Sequence, residues 1–396
     1  MKIPVLATHR DCTGCSACLS MCHTHSIEME DDEFGFFYPK IDTTSCVGCL
    51  LCQKVCPILN TVHHDKVETQ SFAAYSLNNG VRRKSSSGGI FSEIATAVIN
   101  RGGVVWGAMY GQDYNVVHTC INTIKDLEYL CGAKYVQSDL IDVFKQVSEQ
   151  LREGLTVLFC GTPCQIYGLH GFLKCASGIK DEHVDHLFAV DFVCHSIPSP
   201  LAWKKYVQYR ASVDNNGQYP LLINMRSKSS GWSKYRYSVN FNYYNTDYSV
   251  ISNKDLYMKL FIKGFISRDS CENCRFKGIE RISDITLGDC WGVWEYAPDM
   301  DDNKGTSLLL VRGEKGNKLF DLIKHNIKVQ KISVSDAVLN NKAIVESERG
   351  KRGKNIIRNY VKNGDFPKIE RLLLLFHMLS VTKKIFYFFK KLIRRS

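Results

Sequence analysis

The chain has 396 residues, of which 44% are hydrophobic and 23% charged, a composition typical of a soluble protein with two or three domains. This composition excludes a disordered chain and a minimal disulfide scaffold. The net charge is +11, and residues 350–396, with 13 Lys and Arg and two acids, account for all of it. The rest of the chain is neutral, which argues against a nucleic-acid-binding protein.

Eight of the 17 cysteines lie within the first 60 residues. So many cysteines are unusual in a secreted chain of this size, and the N-terminal sequence MKIPVLATHRDCTGC lacks the apolar stretch of an export signal. We therefore expect the protein in a reducing cytoplasm. Clustered cysteines there indicate cofactor chemistry.

The N-terminal cysteines form two runs with the same C-x2-C-x2-C-x3-C spacing. The runs are Cys12, Cys15, Cys18, Cys22 and Cys46, Cys49, Cys52, Cys56. In two-cluster ferredoxins, which this region resembles, the fourth cysteine of a run ligates the other cluster. The predicted ligand sets are therefore Cys12, Cys15, Cys18, Cys56 and Cys46, Cys49, Cys52, Cys22. Paired zinc sites are the alternative, but the repeated spacing favours two [4Fe–4S] clusters.

The following elements, in chain order, predict an α/β domain. Residues 60–70 are polar and end the ferredoxin-like segment. Hydrophobic periodicity then distinguishes strands, helices and a connecting loop. The predictions are a strand at FAAYS (72–76), a loop at 78–89, a helix at IFSEIATAVIN (90–100), strands at GGVVWGAMY (102–110), LTVLFCG (155–161) and HLFAVDFVC (186–194), and a helix at LAWKKYVQYR (201–210).

The next region, from about residue 215 to 250, alternates apolar and polar residues and predicts an antiparallel sheet. DITLGDCWGVW (284–294) predicts one more strand. The sequence contains neither G-x-G-x-x-G nor G-x-x-x-x-G-K-[ST], so a Rossmann fingerprint and a P-loop are both excluded. Serines and glycines at 85–89, just before a predicted helix, suit phosphate binding, although an ordinary N-cap has the same composition.

Several short motifs follow one another between residues 70 and 300. They are SSSGG (85–89), CGAKYVQS (131–138), GTPCQ (161–165), DFVCHSIPSP (191–200), NMRSKSSGW (224–232), CENC (271–274) and DITLGDCWG (284–292). Together they resemble the coenzyme F-420 hydrogenase/dehydrogenase beta-subunit family. The resemblance implies an FAD-binding domain, a further iron–sulfur cluster, and electron transfer between one-electron centres and a hydride acceptor. Chlorophyll-intermediate reductases share this family, so membership does not determine the substrate.

The resemblance implies a third cluster ligated by Cys164, Cys194, Cys271 and Cys274. A C-x-x-C pair can supply two thiolates from one turn, although a dithiol redox pair has the same spacing. Cys164 should lie near a helix N-terminus, which favours a thiolate. The remaining cysteines are predicted to be core or surface thiols: Cys120, Cys131, Cys160, Cys175 and Cys290.

The flavin pyrophosphate is predicted at Ser86, Ser87, Gly88 and Gly89, with Lys134 and Arg226 as neighbouring cations. Both cations could instead be solvated surface charges. His195 is the candidate proton donor to the hydride acceptor, because imidazole titrates near neutral pH. An ordinary hydrogen-bonding role for His195 is the alternative.

The C-terminal segment is basic and amphipathic. The uncharged stretch 372–382 has eleven residues, too few to span a bilayer. From residue 381 onward, one helical face is apolar and the other basic, which suits either a membrane interface or packing against protein. The apolar residues are Val381, Ile385, Phe388, Phe389 and Leu392, and the basic ones are Lys383, Lys384, Lys390, Lys391, Arg394 and Arg395.

These features predict an α+β or α/β multidomain protein. Residues 1–62 form a bacterial two-cluster ferredoxin-like domain, 70–345 an α/β flavin-binding domain with a mixed sheet, divided near residue 150, and 350–396 the tail. The expected function is an iron–sulfur flavoprotein oxidoreductase acting on an organic substrate or deazaflavin coenzyme, with a ferredoxin or another redox protein as partner. A non-catalytic electron-transfer subunit that docks on a partner enzyme or membrane complex is the alternative. The expected location is cytoplasmic, with peripheral contact at the inner membrane face as the tail's alternative role.

Overall fold

The computed structural model describes residues 2–60, 67–233 and 236–376. Its N-terminal part contains an antiparallel pair of strands, β1 (Ile27–Asp31) and β2 (Phe37–Ile41), and two short helices, α1 (Ala17–Met21) and α2 (Leu51–Lys54). Each helix follows a residue in the left-handed region, Ser16 at φ 62° and Leu50 at φ 61°. The two cysteine runs therefore have the same local conformation, as their identical spacing leads one to expect.

An eight-stranded mixed sheet follows the N-terminal part. Its strands are β3 (Thr69–Ser76), β4 (Val104–Tyr110), β5 (Val116–Ile121), β6 (Val157–Gly161), β7 (Leu187–Phe192), β11 (Ile285–Asp289), β12 (Ser307–Arg312) and β13 (Ile327–Lys331). They lie in the order β13-β3-β12-β11-β7-β6-β4-β5. Neighbours from β11 to β4 run parallel and the outer pairs antiparallel. The predicted α/β fold with a mixed sheet is confirmed.

The predicted antiparallel region forms a separate three-stranded sheet. Its strands are β8 (Leu222–Ser227), β9 (Ser238–Asn242) and β10 (Asp247–Ile251), in the order β10-β9-β8. Buried Val239 and Phe241 alternate with partly exposed residues along β9, which explains the apolar and polar alternation of the sequence.

Helices connect the strands. They are α3 (Asn79–Lys84), α4 (Ile90–Ile99), α5 (Leu127–Leu130), α6 (Val143–Arg152), α7 (Pro163–Leu173), α8 (Asp181–Val184), α9 (Pro200–Asn215), α10 (Leu256–Ile262), α11 (Val293–Tyr296), α12 (Gly313–Ile323), α13 (Val334–Leu339) and α14 (Lys354–Lys362). Helix α3 corrects the prediction of a loop over 78–89. It forms because the Asn78 side chain accepts hydrogen bonds from the N–H groups of Gly80 and Val81, at 2.9 and 3.2 Å.

The ferredoxin-like segment shares its core with the α/β part. Ala17 and Val55 are buried in the same cluster as Phe144 of α6 and Ile166 of α7. Glycines on α7 allow this close approach, since a Cβ atom at Gly171 would lie 2.5 Å from the carbonyl oxygen of Val55. The predicted domain boundary near residue 62 lies outside the described residues, and the three predicted domain ranges stay predictions.

The described part of the C-terminal tail packs on the protein body. Ile357 and Val361 of α14, and Phe366 of the helical residues 366–376, are buried in one cluster with Trp203. This favours protein packing over a membrane interface for residues 354–376, whereas the amphipathic stretch that begins at Val381 lies outside the described residues. Within the described ranges, no helix has the length and apolar character needed to cross a bilayer.

Candidate metal centres

The first cysteine set surrounds a cavity in the ferredoxin-like segment. Cys12, Cys15, Cys18 and Cys56 line about 370 Å³ of space not filled by protein atoms. The Gly14 N–H points to the sulfur of Cys12 at 3.4 Å. Gly14 has φ 67°, and a Cβ atom there would lie 2.4 Å from Nε2 of Gln137, so the turn requires glycine.

Burial raises the pKa of the Cys15 thiol to about 12 and that of Cys18 well above its usual value, and neighbouring thiols raise both further. The four thiols can all lose their protons only when a positive charge offsets the negative charge of the thiolates. A bound metal supplies that positive charge. The donors and the cavity therefore fit an iron–sulfur cluster.

The second cysteine set lies closer to solvent. Burial raises the pKa of Cys52, and the nearby thiols of Cys49, Cys22 and Cys46 raise it further, which places the four cysteines in one group. Cys49 is exposed, and neighbouring Val47 is 54% exposed. In both runs, the fourth cysteine lies with the first three of the other run.

The third set forms where two parallel strands end. Strands β6 and β7 are neighbours, so Cys164, in the first turn of α7, and Cys194, just after β7, reach the same edge of the sheet. Cys271 and Cys274 approach it from the turn Asp269–Asn273. The four cysteines line about 420 Å³ of space not filled by protein atoms. The Ile197 N–H points to the sulfur of Cys271 at 3.3 Å.

These thiols are partly buried, and their surroundings oppose ionisation. Burial and the neighbouring Cys194 raise the pKa of Cys164 well above its usual value, although Cys164 lies at a helix N-terminus. Loss of hydration raises the pKa of this thiol more than the amino end of the helix lowers it. Burial likewise raises the pKa of Cys194 to about 12 and that of Cys271 to about 11. As a group, the four thiols fit a metal-sulfide core that supplies the missing positive charge.

No three histidine, cysteine or acidic side chains in the described parts of the chain come together tightly enough to hold a single metal ion. The fit to clusters rests on the shared cavity walls and on the N–H groups aimed at sulfur. The ligand assignments of all three sets stay predictions.

Residues 343–354 contact the third set. The sequence did not indicate this contact. The ammonium of Lys354 pairs with Asp269 at 2.9 Å and with Glu272 at 2.5 Å, on either side of Cys271. The Cys274 N–H donates to the Ser347 hydroxyl at 3.0 Å. Lys277 donates to the carbonyl oxygens of Cys194 and Ala343, at 2.5 and 2.7 Å. The first part of the basic tail is thus structural.

The predicted phosphate-binding loop lies beside α4. The Gly88 N–H donates to the Ser307 hydroxyl at 2.9 Å, and the Ser87 hydroxyl donates to the Thr306 carbonyl at 3.0 Å. A Cβ atom at Gly88 would lie 2.4 Å from the Ala74 carbonyl oxygen. Gly89, at φ 90°, is the N-cap of α4, so the loop ends at the amino end of that helix.

The predicted cations of this region already have partners. Arg226 makes a two-pronged ion pair with Asp289, at 2.8 and 2.9 Å, and donates to the Ser86 carbonyl at 3.4 Å. Lys134 donates to backbone carbonyls of residues 130–132, and burial lowers its pKa to about 8. Lys228, which sequence reasoning missed, donates to the carbonyls of Arg82 and Ser87, and burial lowers its pKa to about 7. A pyrophosphate therefore fits these residues only in part.

His195 lies within hydrogen-bond distance of a buried acid. Its Nε2 lies 2.5 Å from Oε2 of Glu348, and its ring meets Phe261 edge-on at 5.2 Å. Burial opposes ionisation of Glu348, but the hydrogen bond and charge of His195 prevail and lower the pKa of that carboxyl. The catalytic role of His195 stays a prediction.

The cysteines predicted to be ordinary thiols are absent from the described linings of both cavities: Cys120, Cys131, Cys160, Cys175 and Cys290. Cys290 is fully buried and lies 3.3 Å from the Tyr296 hydroxyl. Its burial among apolar side chains accounts for it without a ligand role.

Two family models match the chain. Residues 154–336 match the model for the C terminus of the coenzyme F420 hydrogenase/dehydrogenase beta subunit, and residues 11–59 match the 4Fe-4S dicluster domain. The two matches agree with the resemblance drawn from the motifs, which is confirmed for these segments.

Individual relatives cover less. An uncharacterised polyferredoxin-like protein of Methanocaldococcus jannaschii is 34% identical over 68 residues, which are 15% of this chain and 40% of that protein. The chain thus spans less than half of this relative. A solved structure of the F420-reducing [NiFe] hydrogenase complex from Methanosarcina barkeri aligns with a TM-score of 0.46 and 17% identity, over 74% of this chain and 88% of that chain.

Proposed function

We propose that the chain is an iron–sulfur flavoprotein oxidoreductase that passes electrons between three [4Fe–4S] clusters and FAD. Hydride transfer with an organic substrate or a deazaflavin coenzyme would take place at the flavin. One observation carries the proposal. The third cysteine set, whose members are far apart in sequence, lines one cavity, and Thr13 lines both this cavity and that of the first set.

The accessibility of the three sets supports an order of transfer. Cys49 of the second set is exposed, whereas the cysteines of the first and third sets are all partly buried. A ferredoxin or another redox protein would exchange electrons with the second cluster. The first and third clusters would continue the route into the α/β part. FAD, when bound, supplies the conversion between one-electron and two-electron chemistry.

The region beside α4 is the proposed flavin site. The amino end of a helix attracts phosphate oxygens, and glycine at position 88 keeps the loop close to β3 and β12. Lys134 and Lys228 are nearby cations whose ammonium groups donate to backbone carbonyls and not to a carboxylate. Arg226 would orient the loop through the Ser86 carbonyl, with its own charge offset by Asp289.

The second candidate function is a non-catalytic electron-transfer subunit that docks on a partner enzyme or membrane complex. The observation that favours it is the pairing of the predicted flavin cations with protein groups, above all Arg226 with Asp289. In this case the iron–sulfur sites would be retained and the α4 region would have a structural role.

Anaerobic purification followed by flavin quantitation and stopped-flow reoxidation distinguishes the two candidates. About one FAD per chain, reoxidised by a small acceptor without another polypeptide, supports the oxidoreductase. Protein without flavin, whose reduced clusters are reoxidised only after a second protein is added, supports the relay subunit. The variant Lys134→Met should reduce flavin content without lowering iron content, whereas Lys145→Met, at a partly exposed position of α6, should change neither.

A further inference from the structure

Arg268 is a fully buried cation between the ferredoxin-like segment and the C-x-x-C turn. Its guanidinium donates to the carbonyl oxygens of Cys12 at 2.8 Å and Phe37 at 2.9 Å, and to Oε1 of Gln137 at 3.0 Å. These three acceptors carry no formal charge. The guanidinium also lies over the Tyr38 ring, 4.0 Å from its centroid.

The same residue contacts two cysteine sets. Arg268 lines the cavity of the third set, and its carbonyl accepts the Cys271 N–H at 3.1 Å. Its Nε binds the backbone of Cys12, whose side chain lines the cavity of the first set. One positive charge therefore lies between the two proposed clusters.

This charge is poorly offset by its surroundings. The nearest acid in sequence, Asp269, already pairs with Lys354 at 2.9 Å and Arg358 at 2.8 Å. Water cannot screen Arg268, because its exposed fraction is 0%. The second set includes the exposed Cys49, so solvent weakens the effect of the Arg268 charge on that set.

We propose that Arg268 biases electrons toward the first and third clusters and away from the second. This inference rests on the proposed function, in particular on the third cluster. Reduction of a cluster by one electron adds one negative charge, and nearby charge and hydrogen bonds set the potential at which this occurs. A buried cation beside two of the clusters raises their potentials relative to the exposed one. Transfer of one electron from a reduced second cluster to an oxidised first cluster would therefore be more favourable than without this charge.

The test is a redox titration of the anaerobically purified full chain, followed by electron paramagnetic resonance. Arg268→Gln removes the charge, and Arg268→Lys retains it. Gln137→Glu leaves the arginine in place and sets a carboxylate against its Nη1 atom, which offsets the charge with little change of shape. Arg275→Gln is the matched control, because exposed Arg275 also joins the C-x-x-C turn to the ferredoxin-like segment, donating to the Ile58 carbonyl at 2.9 Å.

We expect Arg268→Gln and Gln137→Glu to lower the equilibrium constant for reduction of two clusters about tenfold, a shift of about 59 mV for a one-electron couple. In these two variants, the potential of the second cluster should stay near the wild-type value. In Arg268→Lys and Arg275→Gln, the potentials of all clusters should stay near the wild-type values. Unchanged potentials in Arg268→Gln, or equal shifts of all clusters, would overturn the inference. If Arg268→Gln fails to fold, unchanged cluster potentials in Gln137→Glu would overturn the inference instead. Wild-type protein with about eight irons would instead overturn the third cluster of the proposed function, and this inference with it.

Discussion

Replacing Gly171 by alanine should loosen the ferredoxin-like segment from the α/β part. A Cβ atom at Gly171 would lie 2.5 Å from the Val55 carbonyl oxygen, whereas ordinary contacts begin at 3.4 Å. The backbone of α7 or of residue 55 must therefore move by nearly 1 Å. A backbone carbonyl, unlike a flexible side chain, has no rotamer that relieves the contact.

Two opposing contributions determine the size of this effect. Overpacking of a well-packed contact costs about 1–3 kcal/mol. Alanine in place of glycine inside a helix returns about 1 kcal/mol. We expect a net loss of about 1 kcal/mol in the free energy of unfolding, which lowers the melting temperature by roughly 2–4 °C for a domain of this size. Clusters should be lost faster, because Cys15 lies against the same helix, 2.9 Å from a Cβ atom built at Gly168.

Anaerobic thermal scans at one fixed rate, followed by cluster absorbance, measure both effects. The control is Gly80→Ala at an exposed position of α3, where the added Cβ would meet only the end of the Asn78 side chain at 3.2 Å. The control should melt at or slightly above the wild-type temperature. Gly171→Ala protein as stable as that control, with clusters lost at the wild-type rate, would refute the proposed packing contact.

Three further predictions concern separate sites. Cys274→Ala should lose about four irons per chain, whereas Cys290→Ala, at a fully buried cysteine, should lose none, as measured by iron analysis. Burial lowers the pKa of His118 from 6.5 to about 4, so the unfolded chain binds the extra proton first and stability falls as the pH drops from 6.5 toward 4, by up to about 1.4 kcal/mol per unit. His118→Phe should flatten this part of a urea-denaturation pH profile, and an unchanged slope would contradict the assignment. Asp289→Asn leaves buried Arg226 without its counter-charge and should cost about 3–5 kcal/mol, more than Asp302→Asn at the half-exposed partner of Arg82; equal losses in denaturant titrations would argue against it.

The strands that build the third cysteine set could be predicted because their pattern is local. LTVLFCG and HLFAVDFVC are short apolar runs that end in small or polar residues, and they form β6 and β7. Neighbouring parallel strands end at one edge, so cysteines just beyond them approach one another. Helix α3 could not be separated from a loop, because its six residues depend on the Asn78 cap and contain a glycine.

The surroundings of the sites depend on contacts between distant residues, which periodicity does not reveal. Arg226 was predicted as a cation for phosphate, but its partner Asp289 lies 63 residues further along the chain. The sequence showed Lys354 only as one of many basic residues in the tail. In the structure it forms ion pairs with Asp269 and Glu272 of the C-x-x-C turn. Arg268 lies outside the sequence motifs, and its bond to Cys12 joins residues 256 positions apart. The flavin-binding and catalytic residues also depend on contacts between residues far apart in sequence, and their assignments stay predictions.

Iron and acid-labile sulfide content of the anaerobically purified chain tests the central claim most directly. Three cysteine sets predict about twelve irons and about twelve sulfides per chain. About eight of each would retain the ferredoxin-like segment and contradict the third cluster. Zinc without sulfide would contradict the whole account.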